Sequence, residues 1–499
     1  MNAAPTTHDA EALRLMHAGR LEEALQVARR AVAAQNSCAP AHGVLAAILL
    51  RLGRSAEADA VVESAARYGA GTADAYDALA RASLALGRHE RANVLYRRTV
   101  QCSPNVSRHW YDLASSERSL GRLAEAEAAC DRAIALDARE YRAYLLRSEL
   151  RVQTPSANHA AQLRRAVLRS DLDDNARVLL GYALGKELDD LEQYGAAFES
   201  FALGASARRR QLAYDVRVDE HKLRRIIEAF PPAPDRTASG QIDSSRFIFI
   251  FGLPRSGTTL IERILTGLPA VRSNGETDHF ARTLLTAPPG RRTDAVRGGG
   301  DVFARAAAAD WDTVAAGYAR LAGAGGKPEA VIEKQPMNYL YLGAIRRALP
   351  QARLVLVSRS PLDICFAMYR TLFGEAYQFS YDFSDLARYY AAYARLVDHW
   401  RDAFGASIHE VRYDDLVRDP IRVGAAAAAA CGLEWRDAAV EVEHNAAVCL
   451  TQSAAQVRRP IYGSSSGRWR HYRAHLEPLI QALRDQGVGL AEFDRPVFR

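Results

Sequence analysis

Lysine is nearly missing from this chain. It stands only at 186, 222, 327 and 334, and arginine supplies almost all of the positive charge. That bias reads as compositional drift, yet it makes each surviving lysine worth locating. Cysteine excludes more than it suggests: the six residues at 38, 102, 130, 365, 431 and 449 contain no C-x-x-C pair. Scattered thiols exclude a disulfide frame and a zinc ribbon, and fit reduced, buried side chains in a cytoplasmic protein. Long apolar runs are absent too. No stretch approaches the roughly 18 apolar residues of a membrane helix, so no membrane span is expected. The opening MNAAPTTHDAEALR lacks the apolar core of a secretion signal. The alanine run 425–430 is short, has polar flanks, and reads as buried helix. A net charge of +6 over 499 residues makes no case for nucleic acid. What is left is ordinary globular composition in a chain long enough for two or more domains.

The first half is a repeat. Gly-Arg recurs at Gly19-Arg20, Gly53-Arg54, Gly87-Arg88 and Gly121-Arg122, a step of 34 residues each time. Alanine keeps step at Ala24, Ala58, Ala92 and Ala126, and a small residue follows at Ala31, Ala65, Thr99 and Ala133. A 34-residue period of helix, glycine turn and alanine-rich helix is the tetratricopeptide (TPR) signature. Leu45, Leu79 and Leu113 supply apolar knobs on first helices, and Pro104 ends one repeat. A degenerate repeat over Leu179 to Phe198 completes an α-solenoid expected at 8–210. A connecting helix near Asp219–Phe230 and a linker at Pro231–Ser245 occupy 211–245. Such solenoids bind peptides or dimerise through a concave face. A peptide or protein partner, and possible homodimer formation, are the expectations; a plain scaffold is the alternative.

The second half carries the chemistry. Phe247 to Phe251, FIFIF, reads as a buried strand of a parallel sheet. Gly252-Leu-Pro-Arg-Ser-Gly257-Thr258-Thr259 follows, and Leu260 to Leu265 continues as helix. Strand, glycine-framed loop and helix N-terminus form an oxyanion cradle, because free backbone N–H groups and the helix dipole converge there. The spacing is that of a P-loop, but Thr258 stands where the phosphate-binding lysine belongs. Arg255 is the basic group left inside the loop. Further strands are predicted at 330–333, 353–358 and 407–413, alternating with helical patterns, which is α/β order. Ligands of such sheets sit beyond the strand carboxyl ends. Those ends place Arg255, Lys334, Arg359 and Tyr413 on one rim, a site for an anionic nucleotide.

PRSGTT after one strand, S-R-S-P-L-D after a second, Y-D-D-L after a third, and Q-V-R-R-P-I-Y with GRWR near the end resemble the sulfotransferases that use 3′-phosphoadenosine 5′-phosphosulfate (PAPS). The similarity is greatest to the tyrosylprotein sulfotransferases and to bacterial proteins that fuse TPR repeats to that domain; it covers Phe247 to Tyr472. The fold class expected is thus α plus α/β: a TPR solenoid, then a P-loop-like sulfotransferase domain with a mainly parallel sheet at 246–499.

The resemblance implies roles for individual residues. Arg255, Ser256, Gly257, Thr258 and Thr259 match the loop for the 5′-phosphosulfate. Glu276 matches the general base that takes the acceptor hydroxyl's proton, and Lys334 the lysine that stabilises charge on the transferring sulfuryl group and leaving phosphate. Arg359 matches the 3′-phosphate arginine and Tyr413 a tyrosine beside the nucleotide. Ser453 and Arg468 match residues that close over the cofactor. The acceptor implied is a tyrosine of a peptide or protein, held with help from the repeats; glycan, lipid and small-molecule hydroxyls stay open. Acceptor identity would lie in Pro288–Asp301 and Phe373–Phe383.

One position departs from the pattern. Ala367 stands where the family has a serine eight residues after the 3′-phosphate arginine, and one lost neutral hydrogen bond costs about 0.5–1.5 kcal/mol. Arg370 is a candidate substitute. His279 competes with Glu276 as base. Ser464–Ser466 is read as a turn without a role, Asp414 and Asp415 as helix-capping acids, and no metal constellation is visible. A P-loop kinase is opposed by the missing loop lysine and the lack of an evident Walker-B acid. A non-catalytic interaction protein with a degenerate transferase domain rests on Ala367.

Overall fold

The computed structural model describes residues 7–34, 39–68, 72–232, 239, 241–290, 301–323, 330–445, 459–463 and 465–490. They fall into two compact units that divide between Leu191 and Glu192.

The first unit is built from helix pairs: Thr7–His17 with Leu21–Ala34, Ala39–Arg51 with Ser55–Tyr68, Ala73–Ala85 with His89–Cys102, and Ser107–Ser119 with Leu123–Leu136. Each pair turns on the repeated glycine, at φ of +76°, +74°, +70° and +80° in chain order. Added Cβ atoms at Gly19, Gly53 and Gly87 would meet nothing within 4 Å, so left-handed backbone, not crowding, selects glycine. Ala24, Ala58, Ala92 and Ala126 are wholly buried, as close approach of paired helices requires. Two arginines of the motif reach back one repeat, whereas Arg20 and Arg54 pair with Glu23 and Glu57 three residues on. Arg88 Nη2 lies 2.7 Å from Asp59 Oδ2, and Arg122 reaches Glu90 at 2.8 Å and Asn93 at 2.9 Å.

The expected degenerate repeat lacks the Gly-Arg turn, and its two helices divide between the two units. Asp174–Asp190 and Tyr194–Gln211 are joined at Glu192, whose φ is +59°. The second of these helices belongs with the second unit, so the boundary expected at 210 moves back to 191. The reason is aromatic packing. Phe198 stacks on His475 at 4.7 Å and Tyr194 on His471 at 4.5 Å, and both partners lie late in the second unit.

That unit holds a five-stranded sheet in the order β2-β3-β1-β4-β5, with every pairing parallel. The strands are β1 (Phe247–Phe251), β2 (Val271–Ser273), β3 (Ala330–Lys334), β4 (Arg353–Ser358) and β5 (Ile408–Arg412). Four coincide with expected strands to within a residue at either end. β2 was not expected: three half-buried edge residues are too few to show a period. The connecting helix spans Val216–Ala229. Cys130, Cys365 and Cys431 are buried free thiols. Among the described residues, no helix is long and apolar enough to cross a membrane, and no cluster of three or more metal-ligating side chains occurs.

The two faces of β1 bury different chemistry, as strand alternation demands. Ile248 and Ile250 join Ile261, Ile264, Val355 and Val411 on one face. Phe247 and Phe249 pack against Tyr318 on the other, at 5.0 and 5.3 Å between ring centroids. β3 carries the alternation into polar residues, since Glu333 pairs in register with Phe249 and Lys334 with Ile250. Glu333 is fully buried, and Asn338 Nδ2 donates to its Oε1 at 3.4 Å. Burial raises its carboxyl to about 7, the Asn338 hydrogen bond opposing and the Asp278 charge adding to the rise.

This predicts a pH dependence. With a folded value near 7 against an ordinary 4.5, the native state holds the proton more tightly between those limits. The group's contribution to stability is full below the lower value and falls by roughly 3 kcal/mol as pH rises through the upper one. Urea denaturation at pH 5 and pH 8 should show that loss in the wild type, and Glu333→Gln should remove most of it.

Candidate active site

The sheet order puts the loops after β1 and β4 side by side, at the point where connections leave in opposite directions. The β1 loop is shaped by what its glycines allow. A Cβ on Gly252 would lie 2.3 Å from Val357 O, and one on Gly257 2.4 Å from the Tyr413 ring. Glycine therefore lets β4 and Tyr413 close onto the loop. Gly257, at φ +107°, is the N-cap of the helix Thr258–Thr266, and Thr258 and Thr259 are buried in its first turn. Arg255 is left-handed at φ +71° without being glycine, the kind of strain that collects in functional loops.

Three guanidinium groups gather there. Arg359 Nη1 donates to Arg255 O at 3.2 Å, and its Cζ sits 4.7 Å from the Tyr413 ring centroid. Desolvation lowers Arg255 to about 10, and the neighbouring positive charges of Arg370 and Arg359 add to the fall. Burial likewise pushes the Tyr413 phenol upward. Among the described residues, Ser256 Oγ, Ser360 Oγ and Arg359 Nε are buried with no hydrogen-bond partner. Orphaned donors beside crowded positive charge fit an anion carrying many acceptor oxygens.

Ser360 escaped the sequence reading. It is the N-cap of the helix Pro361–Tyr369 but makes no side-chain capping bond, so its hydroxyl is available for something else. It adjoins Arg359 in the chain; Ala367 is buried, and its carbonyl accepts from Thr371 Oγ1 at 2.7 Å. Ser360→Ala should weaken binding of 3′-phosphoadenosine 5′-phosphate (PAP) by about three- to tenfold in calorimetric titration, the effect of one hydrogen bond. Unchanged affinity would exclude Ser360 from the contact.

The second cluster lies at the end of β3. The Lys334 side chain is 1% exposed, and its Nζ stands 2.5 Å from Glu276 Oε1 and 3.6 Å from Glu262 Oε2. Glu276 occupies the loop between β2 and the helix His279–Thr286, whose N-cap is Asp278, so Glu276 lies outside that helix. Ser273 Oγ donates to Glu262 Oε1 at 2.5 Å and accepts from Gly275 N at 2.9 Å. Lys334 N in turn donates to Gly275 O at 3.1 Å. This lattice fixes the Glu276 loop onto β3. Burial raises the Glu262 carboxyl, against the attraction of Lys334. Glu262 and Ser273 were also missed; the only sequence signal was Glu262's place one helical turn beyond Thr258 and Thr259. His279 Nδ1 is buried without a partner, burial lowers that imidazole, and no hydrogen bond joins it to Lys334 or Glu276 among the described residues.

The C-terminal segment closes on the basic rim. Arg359 Nη2 donates to Ser465 O, Ser466 Oγ to Asp414 Oδ1, and Gly467 N to Asp363 Oδ2 at 2.8 Å. The reading of 464–466 as a turn without a role is therefore corrected for Ser465 and Ser466, which tie the segment down through polar contacts that no local pattern encodes. Arg468 begins the short 3-10 turn Arg468–Tyr472 beside Gly467 and is half-buried. Ser453 lies outside the described residues, as does most of the stretch 288–301.

Fold and site together define a parallel-sheet α/β domain whose strand ends gather buried guanidinium groups and orphaned donors, with a lysine–carboxylate pair at the end of β3. Comparison with known proteins gives that class a family: residues 247–437 match the sulfotransferase family, and residues 108–140 match the tetratricopeptide repeat. The second unit thus carries a sulfotransferase-family domain, and the first is of TPR type. The chain is 27% identical over 322 residues to an uncharacterized protein of Aquifex aeolicus, covering 62% of this chain and 42% of that one. It is 30% identical over 179 residues to a "Putative protein-tyrosine sulfotransferase" of Caenorhabditis briggsae, covering 35% of this chain and 61% of that one. It therefore spans less than two thirds of either relative. Among solved structures, the sulfotransferase domain of the Synechococcus PCC 7002 olefin synthase matches at 18% identity with a TM-score of 0.36, over 54% of this chain and 99% of that one.

Proposed function

We propose that this protein transfers the sulfuryl group of PAPS to an acceptor hydroxyl, with a tyrosine of a peptide or protein as acceptor and the repeat unit holding that partner. The observation that carries the reading is the pairing of Lys334 Nζ with Glu276 Oε1 at 2.5 Å, on strand ends of the same sheet as the buried, unpartnered Ser256 Oγ, Ser360 Oγ and Arg359 Nε. One group answers to developing negative charge, the other to a proton, and the donors answer to phosphate oxygens. The tyrosine preference draws on the spacing from Arg255 to Glu276 and on the likeness to the C. briggsae protein.

When bound, PAPS supplies an activated sulfuryl group. The chain's own residues do the rest. Arg255, the amides of Ser256 and Gly257, and the Thr258 and Thr259 hydroxyls hold the 5′ side. Arg359, Ser360 and Tyr413 hold the 3′-phosphate side, with Ser453 and Arg468 assigned to its closure. Glu276 Oε1 takes the proton of the attacking hydroxyl, the work of a positioned carboxylate. Lys334 Nζ orients that carboxylate and meets the charge that develops on the leaving oxygen, preorganised in a water-poor pocket. No residue here needs a metal to act.

Calorimetric titration with PAP against ATP tests the donor. Binding of PAP and not ATP supports it; no binding of PAP, or equal binding of both, overturns it. Transfer of label from PAPS to a tyrosine peptide library tests the acceptor. Label entering only glycans, lipids or small alcohols would replace the tyrosine assignment, and PAP binding without transfer to any acceptor would favour the non-catalytic alternative raised by Ala367.

A further inference from the structure

The helix Thr258–Thr266 leaves the anion loop and packs Ile261, Ile264 and Leu265 into the apolar core of the sheet. Glu262 lies among these residues and is buried with them. A leucine would be buried there without desolvation cost, whereas a carboxyl loses its water and must find polar partners. Burial accordingly raises the Glu262 carboxyl. A group kept at that cost has polar work to do.

Its two oxygens meet two other elements. Oε1 accepts from Ser273 Oγ of β2 at 2.5 Å, and Oε2 lies 3.6 Å from Lys334 Nζ of β3. Ser273 Oγ accepts in turn from Gly275 N at 2.9 Å, in the loop that bears Glu276. That loop is also stitched to β3, by Asn274 N to Ile332 O at 2.9 Å and by Lys334 N to Gly275 O at 3.1 Å. Glu262 thus joins the helix that starts in the anion loop to the lysine of the Lys334–Glu276 pair. A lysine rides a flexible four-carbon stem, and the Glu276 side chain is 39% exposed, so the pair does not fix its own place. A buried carboxyl on a packed helix supplies the fixed point.

We propose that Glu262, braced by Ser273, is a positioning residue that holds Lys334 Nζ at a set distance from the anion loop and so governs kcat without touching donor or acceptor. The inference rests on the sulfotransferase reading above. Transfer between a bound donor and an attacking hydroxyl tolerates little misplacement: an error of about 1 Å can cost roughly 10²-fold in rate. In that reading Arg255, the loop amides and Arg359 carry donor affinity, which loss of Glu262 should spare.

The test is steady-state kinetics of the full chain with PAPS and N-acetyltyrosine amide. Turnover is counted per PAP-binding site from calorimetric titration, so misfolded protein does not enter. Glu262→Leu should lower kcat roughly 30- to 100-fold, and Ser273→Ala roughly five- to twentyfold, with PAP affinity within about threefold of the wild type. Glu262→Gln keeps an oxygen for Ser273 Oγ and should recover at least about threefold of the Glu262→Leu loss. On the Lys334→Ala background, Glu262→Leu should cost no more than about threefold further, because its effect passes through that lysine. Should Glu262→Leu bind no PAP, Ser273→Ala takes its place in this cycle. Fully additive losses would make the role structural and overturn the inference. Wild-type kcat in both Glu262→Leu and Ser273→Ala, or a loss of PAP affinity as large as the loss of kcat, would overturn it too. These outcomes need a wild type that turns over; one that fails to bind PAP or to transfer label removes the parent reading, and this one with it.

Discussion

Lys334→Ala should lower kcat by roughly 10²- to 10³-fold, the scale on which single preorganised donors to a developing oxyanion act. The argument is local. Lys334 Nζ lies within 4 Å of both Glu276 and Glu262, and its side chain is almost wholly shielded from water. In that setting its charge is screened little, so its absence cannot be made good by solvent. Removing one member of a buried ion pair commonly costs about 3–5 kcal/mol of stability. Here the cost should be smaller, because burial already raises the Glu262 carboxyl and lets it take a proton instead. A thermal melt of Lys334→Ala should therefore show a folded protein, and PAP titration an affinity within about tenfold of the wild type. A folded, PAP-binding variant with wild-type kcat would remove Lys334 from the chemistry.

Glu276→Gln should lower kcat by roughly 10²- to 10⁴-fold, the usual worth of a positioned general base. The amide keeps the shape of the carboxylate and can still meet Lys334 Nζ through its oxygen, so packing and PAP affinity should hardly change. The Glu276 side chain is 39% exposed, which leaves room for a small carboxylate to enter. Glu276→Ala should accordingly recover part of its rate in molar acetate, whereas Lys334→Ala should not. Wild-type activity in Glu276→Gln would transfer the assignment to His279, whose Nδ1 is buried and unpartnered among the described residues.

Both clusters show why some of the site was legible and some was not. Arg255, Lys334, Arg359 and Tyr413 each end or follow a strand of a parallel sheet, so a hydrophobic run followed by a polar residue was enough to find them. Glu262 and Ser360 carry no such mark. Each sits in or against a helix, where acids and hydroxyls are common, and only the lysine or arginine brought beside it from a distant strand gives it a task.

The sequence by itself determined the 34-residue repeat, the order of the parallel strands' residues and the anion loop, because each is an interaction among neighbours in the chain: a glycine turn, an apolar run, a helix start. Tertiary structure alone decided the rest. It moved the helix Tyr194–Gln211 out of the solenoid through aromatic partners more than 270 residues away, and it added β2 as an edge. It brought Lys334 onto Glu276 across 58 residues and closed Ser465 and Ser466 over Arg359 and Asp414. Contacts of that range depend on register and packing, which no periodicity within the chain records.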